Sequence, residues 1–359
     1  MKASWIALAV LVVGCGSDGG APAASATPRE GSSPRPVRGL KQVARYDRLA
    51  VPVAFAHDGK RWIGAVDREL VIYDGAREVG RMPVMVGGTD GALAPLPDGG
   101  WIAGARVLAA DGTARFDGWS WANRYGRFGS PKTSAISPDG HVAIIDGADS
   151  PSTCLCDRER GTAGSAAGAL VRLTFDSERP AERVLLEHGG RRFHVAASAT
   201  AVAAVDGRAL SVWPAAGDAP PATATLGVTD VQALAWAGDR YLVATSYVDM
   251  DRTDVVILDR DAGWQPAWTW SIPGQVRELR VRPGGREIAI AWNNYRATDR
   301  VLQDDRKVEV FALDGTRAAS LDTAGYPESI AWSPKGDALL VAMVGNSPRE
   351  QGVLRLAVR

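Results

Sequence analysis

The chain has 359 residues with 41 basic and 41 acidic side chains, so its formal net charge is zero. That balance excludes a dedicated nucleic-acid binder, whose affinity rests on clustered positive charge. With 46% hydrophobic residues, 40 Gly and 21 Pro, the composition is that of a globular, turn-rich β protein, and it lacks the apolar run of roughly 18 residues that a spanning helix needs.

Lys2 followed by the short apolar stretch Trp5 to Val13 has the form of a secretory leader and is set aside from the fold. Val12-Val13-Gly14-Cys15 resembles the lipobox of bacterial lipoproteins. That resemblance implies cleavage after residue 14, lipidation of Cys15 and attachment to a bacterial membrane. Gly16, standing where an acidic residue would retain a lipoprotein at the inner membrane, favours the outer one. Residues 15–39 are small, polar and proline-rich; they bury too little apolar surface to fold and act as a flexible tether. The expected organisation is a signal peptide over 1–14, lipidated Cys and tether over 15–39, and one folded domain over 40–359.

From residue 40 a pattern recurs seven times: an apolar run, a polar turn, a second apolar run. The turns fall at His57-Asp58-Gly59, Pro97-Asp98-Gly99, Ser137-Pro138-Asp139-Gly140, Ser198-Ala199-Thr200, Ala237-Gly238-Asp239, Arg282-Pro283-Gly284-Gly285 and Ser333-Pro334-Lys335-Gly336. A third apolar run follows each pair, as in Glu69 to Tyr73, Ala169 to Phe175 and Lys307 to Leu313. A weaker fourth closes most units, as in Ala181 to Leu186 and Thr316 to Leu321. Four strands per unit repeated radially is the arrangement of a β-propeller. The expected fold is all-β, a seven-bladed β-propeller; the copy at Ser198-Ala199-Thr200 lacks Gly, which leaves six or eight blades open.

The last unit ends at Arg359 one strand short, while Gln42 to Leu49 precedes the first turn with no partner of its own. Pairing the two predicts circular closure of the ring. The Ser-Pro-Asp-Gly turn, with Val142 to Ile145 after it, resembles the repeat of TolB-type and WD-repeat-like bacterial propellers, and so does Ile330 to Gly336. What the resemblance implies is the fold rather than a ligand, because the motif is a turn device.

In such a ring the connections from second to third strand, and from fourth strand to the next blade, emerge on one face. Five extended segments belong to those connections: Asp117 to Ser130, Gly147 to Gly168, Ser246 to Thr253, Asn293 to Arg306 and Gly345 to Gly352. Long loops gathered on a rigid scaffold are where binding resides. Candidate ligand-binding residues there are Trp119, Trp121, Tyr125, Arg127, Trp292, Asn293, Asn294, Tyr295 and Arg296, an aromatic and cationic mix suited to stacking on a sugar or peptide, or to packing loop against loop.

Cys154 and Cys156 are the thiols left once Cys15 is lipidated, and outside the cytoplasm they pair with each other as a staple on a long loop. Asp67, Asp146, Asp206 and Asn293 end second strands on the loop-rich face. A ring of such oxygens holds calcium in lactonase propellers, which this chain resembles at that general level; equally, each caps its own turn. No Gly-x-Ser-x-Gly elbow, His-Glu-x-x-His pair or phosphate loop occurs in the folded region, and no catalytic residue is assigned. The function expected is capture of an envelope protein, peptide or glycan by a lipid-anchored propeller without a cofactor. A metal-dependent hydrolase and a structural part of an envelope assembly stand as alternatives.

Overall fold

The computed structural model describes residues 36–47, 50–66, 69–82, 93–96, 98–103, 106–109, 113–117, 133–137, 140–147, 168–175, 181–188, 193–249, 251–298 and 301–359. Strand β1 (Leu40–Tyr46) precedes the first blade, made of β2 (Val53–Phe55), β3 (Trp62–Val66), β4 (Glu69–Asp74) and β5 (Arg77–Met82). Blade 2 is β6 (Leu93–Pro95), β7 (Trp101–Ala103), β8 (Arg106–Leu108) and β9 (Ala114–Asp117). Blade 3 is β10 (Thr133–Ile136), β11 (Val142–Gly147), β12 (Gly168–Thr174) and β13 (Ala181–His188). Blade 4 is β14 (His194–Ala197), β15 (Ala201–Asp206), β16 (Ala209–Pro214) and β17 (Ala222–Thr225). Blade 5 is β18 (Val231–Ala237), β19 (Tyr241–Asp249), β20 (Arg252–Asp259) and β21 (Gln265–Ile272). Blade 6 is β22 (Gln275–Val281), β23 (Glu287–Thr298), β24 (Val301–Ala312) and β25 (Arg317–Asp322), and the chain ends with β26 (Tyr326–Trp332), β27 (Ala338–Val344) and β28 (Gly352–Val358).

Each of the seven sheets has four strands in antiparallel order, and the seventh runs β26-β27-β28-β1. Leu40 pairs with Val358 and Tyr46 with Val353, so the segment ahead of the first repeat completes the last blade. The register of β1 against β28 slips between Gln42 and Ala44. The same slip separates third and fourth strands in blade 1 at Ile72/Tyr73, blade 5 at Ile257/Leu258 and blade 6 at Val310/Phe311. A bulge there steepens the twist of the outer strand, and β1 carries it as those fourth strands do.

First strands of neighbouring blades meet around the hub, including β26 against β2, which closes the ring. The second strands are buried on both faces and read as unbroken apolar runs: Ala201 to Val205 and Leu339 to Met343 are at most 1% exposed. Alternation divides each run between two seams. Ala143 and Ile145 pack with Leu96, Ile102 and Val107 of blade 2, while Val142 and Ile144 pack with Val195, Val202 and Trp213 of blade 4. Seven apolar clusters result, one for each seam.

The turn between first and second strands works as its residues predict. Gly59, Gly99, Gly140, Gly285 and Gly336 have positive φ and donate their N–H to the carbonyl three residues back. The serine of the Ser-Pro turns adds a cap, since Ser137 Oγ accepts from Val142 N and Ser333 Oγ from Ala338 N, each at 3.0 Å. Blade 4 needs no glycine: its chain reverses directly from Ser198 to Ala201, whose N–H donates to Ser198 Oγ at 3.0 Å.

One expectation is corrected here. Asn293 to Arg306 is not a loop but the far half of a long hairpin, pairing Asn293 with Arg306, Tyr295 with Asp304 and Thr298 with Val301. Ser246 to Thr253 likewise pairs, Ser246 with Asp254 and Tyr247 with Thr253. Pairing satisfies backbone groups that a loop would leave to solvent. Gly345 to Gly352 does connect β27 to β28 as a loop.

The seam between blades 7 and 1 holds an aromatic stack. Tyr46 of β1 lies 5.3 Å from Trp62, and Trp62 lies 4.1 Å from Tyr73, ring centre to ring centre. Trp62 is fully buried and its indole N–H donates to Gly75 O at 2.8 Å. Trp62→Ala is expected to lower unfolding free energy by about 3–5 kcal/mol in a denaturant titration; a loss below about 1 kcal/mol would show that the closing seam carries little of the stability.

Candidate functional site

Antiparallel order sends β1 away from the first-to-second-strand turns, so the opposite face carries the ends of β23 and β27 and the starts of β24, β26 and β28. At the rim between blades 6 and 7 these ends bring charged groups together. Asp304 Oδ2 accepts from Arg306 Nε at 2.9 Å and from the Tyr326 hydroxyl at 3.0 Å. The Arg306 guanidinium lies 4.0 Å from the centre of the Tyr326 ring and donates to Ala324 O at 2.7 Å. Glu350 of the β27–β28 loop stands 3.9 Å from it. One strand further in, Arg277 Nε donates to Asn293 Oδ1 at 2.7 Å and faces Glu328 at 3.9 Å.

The second oxygen of Asp304 is the exception. Oδ1 is enclosed and has no hydrogen-bond partner, and neither has Asn294 Oδ1 on the other side of the same strand pair. An enclosed acceptor left unpaired costs free energy that a donor from a ligand would recover.

Beside this network lies a cleft of about 550 Å³ lined by Arg45, Asp47, Ala324, Pro348, Arg349 and Gln351. Arg45 shapes it, donating to Arg349 O at 2.7 Å and Gln351 O at 2.8 Å while paired with Asp47 at 2.9 Å. Arg349 itself is exposed, and its guanidinium has no ion-pair partner among the described residues. The rim thus offers an open cleft with an exposed cation, and behind its Ala324 wall a buried acceptor and a cation–aromatic pair.

The predicted site residues divide. Trp119, Trp121, Tyr125, Arg127, Cys15, Cys154, Cys156 and Asp67 lie outside the described residues. Asn293 and Asn294 are buried at the rim, and Tyr295 and Arg296 continue β23 opposite Asp304 and Gln303. Trp292 is corrected: it is 3% exposed in the apolar cluster between blades 5 and 6, with its indole N–H on Glu309 Oε2 at 2.8 Å. Alternation along β23 turns it toward blade 5, so it packs a seam and offers no face to a ligand. Of the calcium candidates, Asp146 sits in β11 opposite Thr133 and Leu170, and Asp206 ends β15 opposite Ala209, each in a different blade from Asn293. Asn293 Oδ1 already faces the Arg277 guanidinium, which repels a cation. No group of three potential metal ligands occurs among the described residues.

No family model matches the chain, and no curated protein sequence matches it. A solved structure shares the fold. Chaetomium thermophilum Raptor superposes with a TM-score of 0.54 at 12% identity over 90% of this chain, which spans only 29% of that one. Kuenenia stuttgartiensis hydrazine synthase has a TM-score of 0.45 at 12% identity, covering 89% of this chain and 76% of that one. The chain is a seven-bladed β-propeller. Identities this low speak to architecture and leave function to the site.

Asp304, Arg306, Tyr326, Arg45 and Arg349 escape a sequence reading. Gln303-Asp304-Asp305-Arg306-Lys307 is a charged run without apolar alternation, because this part of the hairpin passes beyond the seams.

Hydrogen bonds from Arg306 hold the Asp304 carboxyl below its ordinary value; burial opposes them and the Tyr326 hydroxyl adds to them. A lowered carboxyl contributes stability that is present above the unfolded value of about 3.9 and is lost as pH falls through the folded value. Asp304→Asn should therefore melt below wild type at neutral pH, and the gap should close on acidification below about pH 3.9. Thermal melts across that range check it, and a gap constant with pH would refute it.

Proposed function

We propose that this chain is a lipid-anchored, extracytoplasmic propeller of the TolB-type, WD-repeat-like kind that binds an envelope protein, peptide or glycan through its loop-rich face. The observation that carries the binding reading is the open Arg45–Arg349 cleft, backed through Ala324 by the network in which the enclosed Asp304 Oδ1 has no partner. A peptide N–H or sugar hydroxyl in the cleft would supply the donor that oxygen lacks once the Asp304 carboxyl turns toward it. Tyr326 with Arg306 offers a flat surface, and Arg349 a cation for a carboxylate on the same ligand. The network is braced by three elements of two blades, so little ordering is left to be done on binding. Capture without chemical conversion accords with the absence of nucleophile or general-base motifs from the folded sequence.

The anchoring half rests on the sequence: the lipobox-like Val12-Val13-Gly14-Cys15, and Gly16, which favours the outer membrane. The small, polar, proline-rich composition of residues 15–39 suits a tether, whose root-mean-square reach would be roughly 25–30 Å, enough to hold the propeller beside a bilayer.

Two measurements test the halves separately. On arrays of envelope glycans and peptides, the protein should retain a ligand whose affinity falls about tenfold or more in Asp304→Ala and in Arg349→Ala with the fold intact. Equal retention by both variants sinks the cleft as the site. In cells, Cys15→Ser should abolish incorporation of labelled palmitate and release the protein from the membrane fraction. Continued labelling of that variant would sink the lipid anchor.

A further inference from the structure

The face opposite the binding cleft has its own chemistry, and the tether leaves from it. The chain enters the fold at Val37, which is buried in the seam between blades 6 and 7 and donates its N–H to Glu287 Oε1. Glu287 is buried against Arg282, whose Nε donates to Gly336 O at 2.8 Å in the next blade's turn. Arg38 and Gly39 donate to Arg359 O, which ties the tether's end to the chain terminus. The exit point is thus fixed among the first-to-second-strand turns.

Beside it, between blades 7 and 1, lies a groove of about 540 Å³ whose walls include Lys60, Lys335 and Arg355. The two turns bearing the lysines approach closely, since a Cβ on Gly59 would stand 3.5 Å from Pro334. Arg355 is held across the seam, its guanidinium 5.4 Å from the Phe55 ring and within 3.3 Å of Lys60 O. Lys60 and Lys335 are exposed and have no ion-pair partner among the described residues, and exposed Lys41 of β1 runs alongside. The carboxylates present are already engaged: Asp58 accepts from Arg61 Nε and from the backbone of Lys60 and Arg61, and Asp337 accepts from Ser333 Oγ.

We infer that this face is the membrane-facing one, and that Lys60, Lys335 and Arg355 engage the phosphates of an anionic lipid surface. The inference rests on the proposed anchoring, which sets one end of the tether in the bilayer; the structure sets the other among these cations. The groove runs up β1 as far as Tyr46, and its lysine-bearing turns stand about a strand's length, roughly 20 Å, from the binding cleft. Contact through the basic face would therefore present the cleft outward rather than leave the propeller to tumble on its leash.

Residues 34–359 form a separate compact unit containing every sheet and the closing strand pair, so they serve as a lipid-free probe. This unit should sediment with vesicles containing phosphatidylglycerol but not with phosphatidylcholine alone, and high salt should release it. Lys60→Gln with Lys335→Gln should weaken binding by about 25-fold, about fivefold for each residue. Binding indifferent to lipid charge, or undiminished in the double variant, overturns the inference. Displacement by inorganic phosphate at low ionic strength would reassign the groove to a soluble phosphate ligand and overturn it too. Because the probe lacks Cys15, its result does not depend on acylation, and failure of the anchor shows only in the palmitate experiment.

Discussion

The antiparallel pairing of β1 with β28 is the constraint on which the rest of this molecule depends. Six blades are built from consecutive strands, but the seventh has three of its own and an unpaired edge. Without β1 the backbone donors and acceptors of that edge face solvent, and a neighbouring chain becomes the available partner. The consequences run further than one strand. Each blade is buried on both faces by its neighbours, so a ring that fails to close exposes both sides of the apolar seam between blades 7 and 1. Tyr46 couples the two effects: it belongs to the closing strand, yet stacks on Trp62 in the first blade.

Closure also decides where function is placed. With the innermost strands set around the hub, the hairpin turns and the longer connections are forced to opposite faces. The turns are short, capped by serine hydroxyls and closed by glycines. The opposite ends grow instead, as the β23–β24 hairpin does. Similar pairs of charges then serve different ends on the two faces. Arg282 and Glu287 are enclosed, satisfy their partners and pin the entering chain at Val37. Asp304 and Arg306 are part open, and leave one carboxylate oxygen unsatisfied beside a cleft. The first arrangement is that of a structural clamp, the second that of a group prepared for a ligand.

Much of the fold was legible because propeller strands follow local rules. A short polar turn between two apolar runs, most often with a glycine and sometimes a proline before it, suffices to locate a hairpin, and seven of them imply a ring. Outer strands are harder to read: Arg77–Met82 and Ala114–Asp117 give little sequence signal, since an outermost strand is mostly exposed and carries few apolar residues. The site was least legible. Asn293 and Asn294 were singled out as loop residues, yet they are buried in a strand, and Trp292 beside them packs a seam. An aromatic next to polar residues has the same appearance whether it faces a ligand or a neighbouring blade.

The sequence by itself determined the propeller class, the turn chemistry of most hairpins and the need for a strand from the N-terminal side to complete the last blade, while the glycine-less fourth copy left the blade count to the structure. These properties depend on residues close along the chain, or on a count of strands that must pair. Only the tertiary structure decided that Asp304 meets Tyr326, that Arg45 shapes the loop before β28, and that Val37 is held by Glu287 at the seam of blades 6 and 7. Those meetings join segments far apart in the chain, and they exist because closing the ring brings blades 6, 7 and 1 side by side.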